Sequence, residues 1–255
     1  MQVIGSVKKA IDILRLFTYE SPELSLSEIS GHIDLHKSSI LRTLGTLMES
    51  GMIEKERETG KYRLGLFVLE LAGRVLHRYD FREQARPFLQ YLADKTGEII
   101  HLSILDGPEI VYLDKRGLEQ PLTVATRIWG RHPAHCSAMG KVLLSGLDQE
   151  EIIKILGSGP YEQMTPHTIT DPEILLEVLE WVRKDGYAID YEEAFPGIRC
   201  VAAPIEGRDG EILAAISATV PKERMDEERT MELCHLVKDT AGEISARSIG
   251  NRING

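Results

Sequence analysis

Cysteine is scarce in this chain of 255 residues: there are three, Cys136, Cys200 and Cys234, odd in number and widely spaced. That argues against a disulfide framework and fits a reducing compartment, so a cytoplasmic location is expected. No apolar run approaches the ~18 residues of a spanning helix, and no membrane partner is expected. The opening MQVIGSVKKAID lacks the apolar core of a signal peptide. Signatures of catalysis are missing as well. Gly140-Lys141 lacks both the preceding Gly and the following Ser/Thr of a phosphate loop. Gly157-Ser158-Gly159 has Glu162 where a dinucleotide fingerprint needs a third glycine. There is no G-x-S-x-G elbow and no H-E-x-x-H pair. A Cys200–His135 nucleophile–base pair has nothing in the sequence to place it together. The chain is therefore expected to be no enzyme, with no catalytic residue, cofactor or metal.

What is present is a globular composition, 42% hydrophobic and 27% charged, with enough length for two ordinary domains. The net charge of −10 is unevenly spread. Residues 1–80 hold 11 Lys+Arg and 11 Asp+Glu, so the whole excess of acid falls on the remainder. The N-terminal third is thus free to approach a polyanion that the rest would repel only from a distance.

Three helical patterns and a hairpin fill that third. Val7, Ala10, Ile11, Leu14 and Phe17 form the first apolar stripe. Ser25 and Glu28 read as a capping box opening a second helix, which buries Leu26, Ile29 and Ile33. After a short turn, HKSSILRTLGTL (36–47) carries a third stripe of Ile40, Leu41, Leu44 and Leu47. Past Gly51 the period changes to two: Met52–Arg57 and Lys61–Leu64 read as strands joined by Glu58-Thr59-Gly60. Two helices across a tight turn, then a hairpin, make a winged helix-turn-helix, whose second helix enters the major groove of double-stranded DNA. Off the buried stripe of that helix lie Lys37 and Arg42, which supply charge, and Ser38, Ser39 and Thr43, which are short donors. Arg57, Lys61 and Arg63 on the wing are placed to reach the flanking phosphates.

At this point the sequence resembles the IclR family of bacterial transcription regulators. SVKKAIDILRLF, LSLSEIS, HKSSILRTLGTL and ETGKYRLG are similar to its DNA-binding domain. GEIIHLSILDG, VYLDKRG, HCSAMGKVLL, DPEILLEVLEWVRKDGYAIDYEE and GIRCVAAPI are similar to its effector-binding domain. The resemblance implies a homodimer or homotetramer on a pseudo-palindromic operator, with a small organic acid altering DNA affinity.

The expected fold is α+β. Residues 1–65 form the winged helix-turn-helix domain, 66–80 an apolar linker helix that also packs, and 81–255 the effector-binding domain, which the resemblance makes GAF-like. In that last part Ala85, Phe88, Leu89 and Leu92 mark a helix, and strands 98–105 and 109–114 flank a turn. A strand is also expected at 121–126, helices at 137–145, 149–156 and 171–184, strands at 198–205 and 212–220, and a last helix at 226–247.

Ser217 and Thr219 point one way on the last strand, Cys200 and Ala202 one way on its partner. The helix starting at Ser137-Ala138-Met139-Gly140 offers amides through small residues. Amides for a carboxylate, with Asp190, Cys200, Ser217 and Thr219 for its other oxygens, make a small-acid pocket. The resemblance carries effector contacts onto the segment 128–140, hence Ile128, Trp129, Ala138, Met139 and Gly140, and onto Asp190, Cys200, Ser217 and Thr219. Thr219 stands where many relatives carry Ser, and Trp129 where many carry Gly. The alternative is a metal- or redox-sensing regulator using His132, His135, Cys136 and Cys200, although their spacing is not that of a common zinc site.

Overall fold

The computed structural model describes residues 3–77, 79, 81–117 and 126–248. The chain divides into two compact units after Tyr79. The expected strand at 121–126 falls outside the described residues except for Thr126.

The first unit runs α1 (Gly5–Arg15), β1 (Glu23–Leu24), α2 (Leu26–His32), α3 (Lys37–Glu49), β2 (Ile53–Lys55), β3 (Tyr62–Leu64) and α4 (Phe67–His77). Helix α2 starts where the capping box requires: Ser25 accepts from the Glu28 amide, and Glu28 accepts from the Ser25 amide. The three strands form an antiparallel sheet in the order β1-β3-β2. One core gathers Ile13, Leu24, Ile29, Ile40, Leu44 and Ile53 from these elements. Two stripes differ from the sequence reading. On α1 the position that is fully buried is Ile13, flanked by half-buried Ala10, Leu14 and Phe17. Val7 and Ile11 are exposed, because α1 carries a second apolar edge that continues Val3 and Ile4. On α3, Leu41 is exposed while Ile40, Leu44 and Leu47 are buried. A helix rotates 100° per residue, so a narrow core seats Ile40 and turns its neighbour to the rim. Helix α4 buries none of its residues.

The second unit runs α5 (Phe81–Thr96), β4 (Ile99–Asp106), β5 (Glu109–Arg116), β6 (Arg131–Pro133), α6 (Ala138–Ser145), α7 (Gln149–Leu156), α8 (Pro172–Asp185), β7 (Ala188–Tyr191), β8 (Ile198–Glu206), β9 (Ile212–Pro221) and α9 (Glu227–Ser248). The sheet is antiparallel throughout, in the order β6-β5-β4-β9-β8-β7. Sequence periodicity does not reveal β6 and β7, which have three and four residues at the two edges. Helices α5 and α9 pack together against β4, β5, β8 and β9. Alternation along the strands turns the other face toward α6, which α8 backs. This is an α+β domain in three layers.

Helix α6 is buried along its whole length. It packs closely on the segment that follows β6 because position 140 is glycine: a Cβ there would lie 2.0 Å from the Ala134 carbonyl oxygen. Its one charge, Lys141, donates to the Ile189 carbonyl and pairs with Glu193, so the buried ammonium is neutralised.

Candidate functional site

The two units each hold a candidate site. In the first, α3 and the β2–β3 hairpin carry the residues expected to meet DNA. Lys37, Ser38 and Arg42 are exposed on α3, and Ser39 and Thr43 are half-buried. The Thr43 hydroxyl already donates to the Ser39 carbonyl, leaving it an acceptor for outside partners. Unlike α2, α3 has no side-chain cap: His36 precedes it and makes no capping bond, and no acid lies in its first turn. Its N-terminal amides and positive dipole end are therefore open to a phosphate. Arg57 is exposed at the hairpin turn, and Lys61 is half-buried beside it. Arg63 is placed differently from Arg57. It sits among Glu23, Glu54 and Glu56 at 3.1–3.6 Å, so its charge is already answered within the sheet.

In the second unit one cleft gathers most of the expected effector contacts. Sheet register explains the gathering. Asp190, Cys200 and Thr219 are cross-strand neighbours on β7, β8 and β9, and Ala202, Ser217 and His101 form the adjacent row across β8, β9 and β4. Directly opposed residues face the same way, so the polar groups make one floor. Ala138 and Met139 at the start of α6 form the opposite wall.

The polar inventory is unusual. The floor and walls contain no Lys or Arg among the described residues. His101 and His132 are both held neutral by burial, their pKa values pushed down to about 3 and about 4. Asp190 is raised to about 7, first by burial and then by Glu193, against the opposing pull of Lys141. It accepts from the Glu193 amide at 2.6 Å. Burial, with Asp190 nearby, pushes the Cys200 thiol up, so Cys200 is a neutral group here. The Ser217 hydroxyl is buried and has no hydrogen-bond partner among the described residues. The amides of Ala138 and Met139 likewise take no protein acceptor among the described residues, whereas that of Gly140 is taken by Ser137 Oγ.

Three expected contacts are not brought to this cleft. Gly140 is spent on the close approach to Ala134 and on the Ser137 cap. Ile128 and Trp129 sit on an exposed turn held by Trp129 N to Tyr112 O, with the Trp129 ring against the Arg82 guanidinium at 5.3 Å. Trp129 has φ 69°, a left-handed conformation that suits glycine. Conversely, His101, Tyr112, Thr126 and Phe195 line the cleft without having been foreseen, and His132, named only within the segment 128–140 and in the metal-sensing alternative, lines it too. For His101 a signal existed: it shares a face with Ser103 on a strand otherwise apolar. Phe195 lies in a loop and stacks on His132 at 4.9 Å, a contact no periodicity announces.

The four residues of the metal-sensing alternative do not converge among the described residues. His132 Nε2 meets Cys136 Sγ at 3.5 Å, but His135 turns to the Glu162 carbonyl and Cys200 to Thr219.

Comparison with known proteins decides the family. Residues 6–57 match the IclR helix-turn-helix domain, and residues 73–246 match the bacterial transcriptional regulator IclR C-terminal domain. The chain belongs to the IclR family. Among its relatives are the transcriptional regulators XynR and KdgR of Escherichia coli K12. XynR is 37% identical over 227 residues, 89% of this chain and 90% of XynR. KdgR is 37% identical over 244 residues, 96% of this chain and 92% of KdgR. An IclR homolog from Microbacterium hydrocarbonoxydans, solved in complex with 4-hydroxybenzoate, superposes with a TM-score of 0.82 at 25% identity, covering 95% of this chain and 98% of its own. As an IclR-family member the chain is a DNA-binding transcriptional regulator, and no described helix is long and apolar enough to cross a membrane.

Proposed function

We propose that this regulator binds a pseudo-palindromic operator in cytoplasmic DNA as a homodimer or homotetramer, and that a small organic acid seated in the second unit alters its DNA affinity. Arg42 is the better placed of the two cations on α3 to read a base, Lys37 adds charge, Ser38, Ser39 and Thr43 reach phosphates or bases, and Arg57 and Lys61 reach the flanking backbone. The observation that carries the effector reading is the unpartnered buried Ser217 hydroxyl in a cleft whose opposite wall carries the open amides of Ala138 and Met139. A buried hydroxyl without a partner costs free energy that a ligand oxygen recovers. A carboxylate suits that donor set, and Asp190 at the end of the β7–β9 row suits a hydroxyl or keto group at the ligand's other end. The 4-hydroxybenzoate bound by the Microbacterium relative has that bipolar form.

The test is fluorescence anisotropy on the DNA upstream of the regulator's own gene, with and without each member of a panel of hydroxy, keto and aromatic acids. At least one acid is expected to change operator affinity about tenfold, which requires a coupling of about 1.4 kcal/mol. Ser217→Ala and Asp190→Ala are expected to keep operator binding and lose that response. A response surviving both substitutions places the effector elsewhere.

A further inference from the structure

His101 lies fully buried in the cleft floor between two hydroxyls. Its Nε2 is 2.7 Å from Thr126 Oγ1, and its Nδ1 is 3.2 Å from Thr219 Oγ1. Burial and the nearby charge of Lys115 keep the ring neutral. A neutral imidazole has one donor nitrogen and one acceptor nitrogen, so the two bonds run in opposite senses. O–H···O bonds centre at about 2.7–2.8 Å and N–H···O bonds at about 2.9–3.0 Å, reaching about 3.2 Å. The shorter contact at Nε2 and the longer at Nδ1 favour the assignment in which Thr126 donates to Nε2 and Nδ1–H donates to Thr219. Cys200 donates its S–H to the same Thr219 oxygen at 3.5 Å. With two donors arriving on that oxygen, its own O–H is left for the cleft.

We propose that His101 and Thr126 are positioning residues that fix the polarity of the effector cleft, holding Thr219 as a hydrogen-bond donor so that the β9 wall takes an unprotonated oxygen of a carboxylate or carbonyl. This deepens the effector reading above and rests on it for the ligand, but not for the tautomer. Ser217, two residues along and on the same face, adds a second O–H with no protein acceptor. The wall thus carries two hydroxyl donors and no cation. The opposite ring tautomer would draw the Thr219 O–H to Nδ1 and close half of that donor pair. A carboxylate or carbonyl oxygen answers both O–H groups, whereas a ligand group bearing its own N–H or O–H can donate only to the Ser217 oxygen and leaves the Thr219 O–H unanswered.

The first measurement needs no ligand. Full-length protein labelled with 15N-histidine is studied by multiple-bond 15N–1H correlation, with His101 assigned by its loss in His101→Leu. A neutral Nδ1–H tautomer is expected from pH 5 to 9, and Thr126→Val is expected to admit the Nε2–H form. An Nε2–H ring or an imidazolium in the wild type overturns the proposal, as does an unchanged tautomer in Thr126→Val. The second measurement titrates 4-hydroxybenzoate and 4-hydroxybenzamide into the wild type, His101→Leu and His101→Asn. The acid is expected to weaken about tenfold in His101→Leu, more than the amide does, and to recover in His101→Asn, whose side-chain N–H stands near the Nδ1 position. Equal loss for acid and amide overturns the polarity assignment, because it marks a merely structural role. If the wild type binds neither probe, the tautomer spectrum decides the proposal, and the failure counts against the effector reading alone.

Discussion

Asp190 is a buried carboxyl whose surroundings set a pH dependence of known sign. Among the described residues Lys141 is the one buried ammonium near it, and that ammonium bonds Glu193 instead. Cys136, Cys200 and Tyr112 face the same region as neutral groups, held so chiefly by burial, and His101 and His132 are neutral as well. With its folded value raised to about 7, Asp190 binds its proton more tightly folded than unfolded. Its contribution to stability is therefore full below the unfolded value of about 4 and is lost as pH rises toward 7. Urea unfolding from pH 5 to 8 is expected to show the wild type losing on the order of 1–3 kcal/mol relative to Asp190→Asn. A constant difference between the two proteins removes Asp190 as the titrating group. A bound anion adds like charge, so the affinity for an acid should also fall as pH passes 7, and Asp190→Asn should flatten that fall.

Trp129 makes a second argument at the same scale. A bulky side chain at φ 69° costs about 1 kcal/mol or more that glycine does not incur. Its ring returns part of that through Arg82, about 0.5–1 kcal/mol at an exposed site. Comparing Trp129→Gly with Trp129→Ala removes the ring from both, so only the backbone differs. The glycine variant is expected to be the more stable by about 1 kcal/mol in chemical denaturation. Equal stabilities would mean that the turn relaxes out of the left-handed region.

Elements differ in how plainly the sequence announces them. The capping box at Ser25 and Glu28, the 149–156 helix and the two long hairpins were legible because each combines a period with a punctuation residue. Strands β1, β6 and β7 are too short to show a period, and their pairing partners make them. The cleft was half legible. Positions two apart on one strand share a face whatever else happens, which gave Ser217 with Thr219. That His101 stands beside Ser217 depends on the pairing of β4 with β9, more than 100 residues apart. The wing shows the same limit: charge was visible in Arg57, Lys61 and Arg63, but the three carboxylates around Arg63 were brought together by strand register. That difference can be measured. Lys37→Ala and Arg42→Ala are expected to weaken operator binding, Arg42 by about 1–3 kcal/mol if it reads a base. Arg57→Ala is expected to lower the salt slope of binding by about one, as the loss of a phosphate contact does. Arg63→Ala should leave the slope nearly unchanged. Equal slopes for the two arginine variants would mean that Arg63 leaves its carboxylates on the DNA.

The whole molecule has an apolar surplus that one chain does not use. Helix α4 exposes Leu66 just before it and Leu69, Val75 and Leu76 along it, and α1 exposes Ile4, Val7 and Ile11. Leu66, Leu69 and Leu76 keep helical spacing, so the surplus is a stripe and not a scatter. An exposed apolar stripe of this kind is surface that a partner can cover. The homodimer proposed above supplies the occupant: one winged helix covers too little DNA for selective binding, and a two-fold protein pairs naturally with a palindromic site. Leu69→Glu with Leu76→Glu places charge on that stripe without touching α3, the wing or the cleft. Light scattering is expected to show the wild type as a dimer or larger and the double variant as the 28.6 kDa monomer. The variant should lose tight binding to the full operator while keeping weak, salt-sensitive binding to a half-site, and its thermal response to an effector acid should persist. If the double variant stays dimeric and binds the full operator with wild-type affinity, the dimer is held by other surfaces and the α4 stripe must be explained anew.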